Sequence, residues 1–267
     1  MTGTRLTLAQ SCPDAAAVVA APVLICDLDG TILDGNSFSL WILYLMFGRL
    51  PELRPSVRIR LSLRLQLLLV YRRLGRINHA ELMREVQHAW HTATENVPDS
   101  STVRVPAMLR RRVRPAFEPL LRQIAAGEID AVLATAAAGE YALPLGRQMG
   151  FRHVLATPCR LASAGALNHR GQKLRRVLGF LTQQQWRERS RVLLTDHVDD
   201  LPLIQHCHAV GWFGSAEMLA RARSDANGVR FIDCRGLDAA ALSQAIVALS
   251  EHGCAVKRSA LAASTVA

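Results

Sequence analysis

Asp27 and Asp29 stand one residue apart at the end of an apolar run, Pro22-Val23-Leu24-Ile25, and are followed by Gly30 and Thr31. In an extended chain alternate side chains share a face, so the two carboxylates point the same way where a strand ends. Side by side they repel each other unless a cation lies between them or their protonation states differ. One chemistry that uses such a pair is nucleophilic catalysis at phosphorus. One carboxylate attacks to give an aspartyl-phosphate, while its neighbour protonates the leaving group and then takes a proton from water. Gly30 permits a sharp turn whose free N–H groups can hold phosphate oxygens. Asp, Gly and Thr are also ordinary turn residues, so taken alone the stretch reads equally well as a strand-ending turn.

Three later features belong beside it. Thr135 closes the apolar run AVLAT just before a helical pattern, where a hydroxyl and free amide groups could bind a phosphoryl oxygen. Lys173, in NHRGQKLRR, is one of only two lysines, the other being Lys257, in a chain that otherwise draws its positive charge from arginine. A compact ammonium suits a single phosphoryl or carboxylate oxygen, whereas guanidinium prefers bidentate contacts; a surface lysine is the plain alternative. The third is TDHVDDLPLI, residues 195 to 204, another strand end with Asp196, Asp199 and Asp200. Grouped hard oxygens of this kind suit magnesium, which binds through one or two carboxylates plus substrate oxygens and water.

The elements that must position these residues follow from the pattern of apolar runs. VLIC (23 to 26), AVLAT, HVLAT (153 to 157), RVLLT (191 to 195), AVGWF and VRFID are short and apolar, and from about residue 117 they alternate with helical segments. Strand alternating with helix predicts an α/β core, a parallel sheet with helices on both faces. Open parallel sheets bind ligands at the carboxyl ends of their strands, which is where the acids lie. Between residues 36 and 116 the alternation stops and Leu, Arg and Trp dominate; Asn78 followed by Glu81 marks a helix start of the capping-box kind. Thr182 and Gln185 predict a similar start for a core helix. The expected division is a flexible tail at 1–20, a core at 21–35 and 117–252, an inserted helical domain at 36–116 and a flexible tail at 253–267.

Composition narrows the classes. The chain has 267 residues, half of them apolar, enough to bury a substantial core. Its six cysteines are scattered without a C-x-x-C pair, which argues against a zinc ribbon or a disulfide framework and for a reducing compartment. The N-terminal segment makes a poor signal peptide, so the expected location is the cytoplasm. A net charge of +10 fits a solvated arginine-rich surface, nucleic acid, anionic membrane or an anionic small substrate. Aromatics are sparse, at five per cent, and no groove-reading or stacking motif is present, so no nucleic acid is expected as a partner. A basic nucleic-acid-binding protein or a non-catalytic interaction module stays as the alternative from another class. His206 and His208 flank Cys207 in a spacing that does not place two metal ligands on one helix face, and they are expected to be structural.

The order and character of the four motifs resemble the haloacid dehalogenase superfamily of phosphotransferases. Its first motif, an apolar strand followed by D-x-D-G-T, is matched by ICDLDGT; its second, a Ser or Thr after a strand, by Thr135; its third, a lysine, by Lys173; its fourth, an acidic pair after a strand, by Asp196 and Asp200. The resemblance covers about residues 22 to 235. It implies a doubly wound parallel sheet with an inserted helical cap, magnesium as cofactor, Asp27 as nucleophile and magnesium ligand, and Asp29 as general acid/base offering its backbone carbonyl to the metal. Thr135 and Lys173 would hold the transferring phosphoryl group, Asp196 would ligate magnesium directly, and Asp200 would orient it from nearby or through water. Halide leaves without a proton, and family members acting on carbon–halogen bonds lack the acid at the Asp29 position; its presence here favours phosphate esters.

An insertion directly after the first motif looks like the phosphoserine-phosphatase-like branch of that superfamily. In the phosphoserine enzyme a glutamate grips the substrate amine at a place similar to Asn36, and an amide lacks the negative charge that an ammonium requires. The insertion is instead apolar and basic. FSLWILYLMF (38 to 47) is too short to cross a membrane, which takes about 20 residues. From Arg49 to Arg76 there are eight arginines and one acid, Glu52. VRIRLSLRLQ alternates with period two, the pattern of a strand, whereas its Leu and Arg content and the resemblance both favour helix. Two readings of this segment stay open. One is a packed cap that guides a small-molecule phosphate; the other is an interfacial cap on an anionic membrane, peripheral to the inner membrane, acting on a lipid phosphate. The second has a counterpart in a bacterial phosphatidylglycerophosphate phosphatase of the C type, which is similar in its D-L-D-G-T motif and its apolar, basic cap.

Overall fold

Period-two alternation in the apolar runs splits each strand between two helical layers. The computed structural model describes residues 21–95, 104–160 and 163–265, with side chains as far as Val256. Its six strands are β1 (Val23–Cys26), β2 (Ala131–Ala138), β3 (His153–Thr157), β4 (Arg191–Thr195), β5 (Ala209–Trp212) and β6 (Arg230–Asp233), all parallel in the order β3-β2-β1-β4-β5-β6. The inner strands β1, β2, β4 and β5 are almost wholly buried, as a sheet covered on both faces requires. Val23 and Ile25 face α7 (Gly171–Gln183), α8 (Leu201–Ile204) and α9 (Ala216–Asp225), packing with Val177, Leu181, Leu203 and Leu219. Leu24 and Cys26 face the opposite layer, α5 (Glu118–Ala126), α6 (Gly139–Gln148) and α10 (Ala239–Thr265), with Leu121, Leu145, Ile246 and Leu249. The sheet is therefore doubly wound, as expected.

Between β1 and α5 the chain forms α1 (Ser37–Phe47), α2 (Pro55–Arg73), α3 (His79–Thr94) and α4 (Arg104–Arg110). The two ends of this insertion are zipped together: Asp34 N–H donates to Arg112 O at 2.9 Å, and Arg114 N–H to Ile32 O at 2.9 Å. Helix α3 starts with the capping box read from the sequence, Asn78 Oδ1 accepting from Glu81 N–H at 2.9 Å and Glu81 Oε2 from Asn78 N–H at 2.8 Å. Segment 55–73 is helix despite its strand-like alternation. Pro55 opens it at a position where its missing N–H costs nothing, and Leu61, Leu65 and Leu68 are buried at helical spacing. Gln87 Nε2 donates to Glu140 Oε2 at 2.8 Å and His91 Nε2 lies 2.9 Å from Glu140 Oε1, tying α3 to α6.

Three expectations need correction. The end of the chain, expected to be a tail from residue 253, is helical to Thr265; after Gly253 it has no glycine or proline to stop α10. No helix starts at Thr182. That residue lies inside α7, its hydroxyl donating back to Leu178 O at 3.0 Å, and Gln185 follows in a left-handed conformation with φ 59°. Helix α8 stops at Ile204, so His206 and His208, read above as lying on one helix, fall in the turn after it. The tail expected at 1–20 lies outside the described residues. By length and composition alone, Ala239–Val256 could cross a membrane; here its Leu242, Ile246 and Leu249 pack in the core.

Candidate active site

Strand β1 is in register with both neighbours, Cys26 opposite Leu133 of β2 and Leu194 of β4, so the segments that follow the three strands emerge together. Asp27 N–H still donates to Leu194 O at 2.9 Å, fixing the first acid at the last rung of the ladder. Lys173, from the first turn of α7, reaches this point: its Nζ lies 2.7 Å from Asp27 Oδ1 and 2.8 Å from Asp200 Oδ2. All three side chains are buried or nearly so, with 9% of Asp27 open to solvent. Thr195 Oγ1 donates to the same Asp200 oxygen at 2.7 Å. Asp29 faces the insertion instead, its Oδ1 accepting from Ser37 N–H at 2.7 Å and its Oδ2 from Ser37 Oγ at 2.9 Å.

Asp196 rests against the turn that follows Asp29. A Cβ on Gly30 would overlap its carboxylate, and one on Gly214 would overlap its backbone carbonyl. Gly30 also has φ 68°, so both space and backbone conformation require glycine there. Thr135 is buried in β2, which runs three residues farther than the expected strand, through an irregularity in its pairing with β3. Within that irregularity Thr135 Oγ1 accepts from Ala137 N–H at 3.1 Å. Thr135 is thus on the strand next to Asp27 and at the same end of the sheet.

Three carboxylates against one ammonium leave this cluster with surplus negative charge in a poorly solvated place. Burial pushes Asp27 up to about 8, Asp200 and Asp196 adding to the effect and Lys173 opposing it. Burial, with Asp200, pushes Asp196 up to about 6. Burial also raises Asp29, against the two hydrogen bonds from Ser37. Lys173 is held above the usual lysine range, its burial outweighed by Asp200 and Asp27. Such a site calls for more positive charge, and its donors are hard oxygens, which fits magnesium. Among the described residues no three acids already converge at metal-ligand spacing, and magnesium does not need them to, since water and substrate oxygens complete its shell.

The cluster unites Asp27, Lys173 and Asp200 by direct contact, with Asp196 and Asp29 on the flanking turns and Thr135 on the neighbouring strand. Asp199, left out of the expected site, pairs with His197 at 3.2 Å and also with His169 and Arg170. Four residues in or beside the cluster have no counterpart in the sequence reading: Ser37, Thr195, Gly214 and Asn168. Asn168 Nδ2 donates to Thr135 O at 2.8 Å and Leu155 O at 2.7 Å, fastening the loop before Lys173 to β2 and β3. The Asn168-His169 pair just before the third motif is the one signal that could have pointed to it.

A model of haloacid dehalogenase-like hydrolases matches residues 24–205, more than half the chain and every motif above. The chain belongs to the haloacid dehalogenase-like hydrolase family. Solved structures of similar fold include a protein of unknown function from Bordetella pertussis Tohama I, 18% identical with TM-score 0.59, covering 80% of this chain and 99% of that one. A probable phosphoserine phosphatase from Vibrio cholerae is 13% identical with TM-score 0.56, over 89% of this chain and 66% of that one. Cytosolic 5'-nucleotidase IIIB bound to cytidine is 14% identical with TM-score 0.53, over 87% and 86%. No curated protein matches the chain. The family model makes the chain a haloacid dehalogenase-like hydrolase, and its likeness to these solved structures, the probable phosphoserine phosphatase among them, is one of fold.

Proposed function

We propose that this enzyme is a magnesium-dependent phosphomonoester hydrolase working through an aspartyl-phosphate on Asp27, with a small-molecule phosphate ester as substrate. The observation that carries the reading is the bridge from Asp27 through Lys173 to Asp200, at 2.7 and 2.8 Å. It gives a buried carboxylate a fixed cationic partner where a phosphoryl group would add further negative charge. Asp27 would bond to phosphorus as the bond to the ester oxygen breaks, and Asp29 would hand its proton to that oxygen. Asp29, now a carboxylate, would take a proton from water as water attacks the same phosphorus and releases Asp27. Lys173 and the Thr135 hydroxyl would hold non-bridging oxygens. Asp27, the Asp29 carbonyl and Asp196 would hold magnesium, with Asp200 beside them, and the ion when bound supplies charge neutralisation that favours the ionised form of Asp27.

In the same reading residues 36–116 serve as the cap over this site. Asn36 is engaged as the N-cap of α1, its Oδ1 accepting from Ser39 N–H at 2.9 Å, and as a neutral amide it gives a substrate ammonium no charged partner. That favours phosphate esters other than phosphoserine. A lipid phosphate is the second reading, favoured by the apolar face that α2 turns to solvent. Cys26, Cys159, Cys207 and Cys234 are free thiols, in keeping with a cytoplasmic enzyme. The test is phosphate release from an aryl phosphate with magnesium, followed by a screen of amino-acid, sugar, nucleotide and lipid phosphates. Turnover by the wild type that disappears in Asp27→Asn and on chelation is expected. Equal rates for wild type and Asp27→Asn would remove the reading.

A further inference from the structure

Helix α2 has two apolar faces. Leu61, Leu65 and Leu68 are buried, and on the other side Ile59, Leu63, Leu67 and Val70, continued by Leu74, stand 49 to 62% exposed. At about 100° per residue the exposed five fall within an arc of about 80°, roughly opposite the buried leucines, along about 22 Å of helix. Leu43 and Phe47, one turn apart on α1, are exposed as well; of the eight large apolar side chains exposed among the described residues, these seven belong to the two helices and the residue capping α2. Arginines border the stripe. Arg60 and Arg64 lie along one edge and Arg58 and Arg73 along the other, all exposed, and between residues 49 and 76 the single acid is Glu52.

We propose that this face of α2 docks on an anionic lipid bilayer, the leucines and Ile59 entering below the headgroups and the bordering arginines meeting lipid phosphates. Water is a poor solvent for a stripe of this length, so an occupant is needed. A second copy of the chain would set one arginine border against another, and like charges at close range oppose that pairing. An anionic bilayer answers both parts: arginine stems lie along apolar surface while their heads stay at the phosphate level. The docking itself does not depend on the reaction at Asp27.

Full-length protein is sedimented with vesicles of phosphatidylcholine mixed with phosphatidylglycerol, and with vesicles of phosphatidylcholine alone. Binding to the mixed vesicles is expected, weakened by salt. The double substitution Leu63→Ser/Leu67→Ser should weaken it roughly tenfold or more, Arg58→Gln/Arg60→Gln should weaken it on anionic vesicles alone, and Asp27→Asn should bind as wild type does. The leucines replaced are exposed, so aryl-phosphate turnover in solution should be unchanged and reports that the variant is folded. Absence of binding to anionic vesicles overturns the proposal. So does binding that survives Leu63→Ser/Leu67→Ser, or sedimentation velocity showing a wild-type dimer that the same substitutions dissolve.

Discussion

Ser37 is where the acid at position 29 meets the rest of the molecule. It has a single hydroxyl proton, which goes to Asp29 Oδ2; the Tyr141 hydroxyl, 3.0 Å from Ser37 Oγ, therefore donates to it. Burial raises the Asp29 carboxyl and Ser37 lowers it, so Ser37 sets how readily this acid keeps its proton. Ser37→Ala should shift the alkaline limb of the pH profile of kcat/KM to higher pH, and Tyr141→Phe should shift it the same way by less; an unmoved limb would mean that Asp29 is not the titrating acid. None of this was legible in the sequence. Asp27, Asp29, Lys173, Asp196 and Asp200 announced themselves by residue type and by their place after apolar runs, and the geometry brings most of them into contact. Ser37 and Tyr141 meet across 104 residues, and a serine after an asparagine carries no mark that distinguishes it from any helix start. Gly214 was silent for a similar reason: what requires glycine is the backbone of Asp196, a neighbour from another strand end.

At the scale of elements the sequence speaks clearly where one local rule acts alone. The capping box of α3 was visible as Asn78 followed by Glu81, and both of its hydrogen bonds are present. Asn78→Ala should lower stability by about 1 kcal/mol, measured as a reduced denaturant midpoint with an unchanged slope. Rules in conflict are harder to read. Segment 55–73 alternates like a strand because leucines lie on two opposite faces of one helix, and only packing distinguishes that pattern from a pleat. Thr182 and Gln185 imitated a helix start, whereas a threonine in a helix interior can satisfy its hydroxyl on the carbonyl four residues back. Strand boundaries shifted for a related reason, since the pairing of β2 with β3 carries it past Thr135.

At the scale of the whole molecule, the buried acids couple stability to pH and to metal. Asp27 and Asp196 are raised to about 8 and about 6 in the metal-free protein, above the value of about 3.9 for a free aspartate. A carboxyl raised by folding binds more protons folded than unfolded, so the stability it lends is full at low pH and is lost as pH climbs from about 4 to about 8. Lys173 is raised as well, and its contribution changes only above the ordinary lysine range, outside this window. In chelator, Tm should therefore fall between pH 5 and pH 8 (about 3 pH units); magnesium, which binds the ionised acids, should flatten the decline, and Asp27→Asn should flatten it without metal. A decline of equal steepness in Asp27→Asn would remove this account. The doubly wound sheet was legible because alternation of strand and helix is repeated five times over, while the relation of insertion to core depends on contacts such as Gln87 to Glu140 that no local pattern encodes. The shielding of Asp27 has one more consequence. If Asp27 is the nucleophile, so narrow an opening favours an ester entering as the segments around it give way, and their return over the acyl phosphate would limit how much water reaches it.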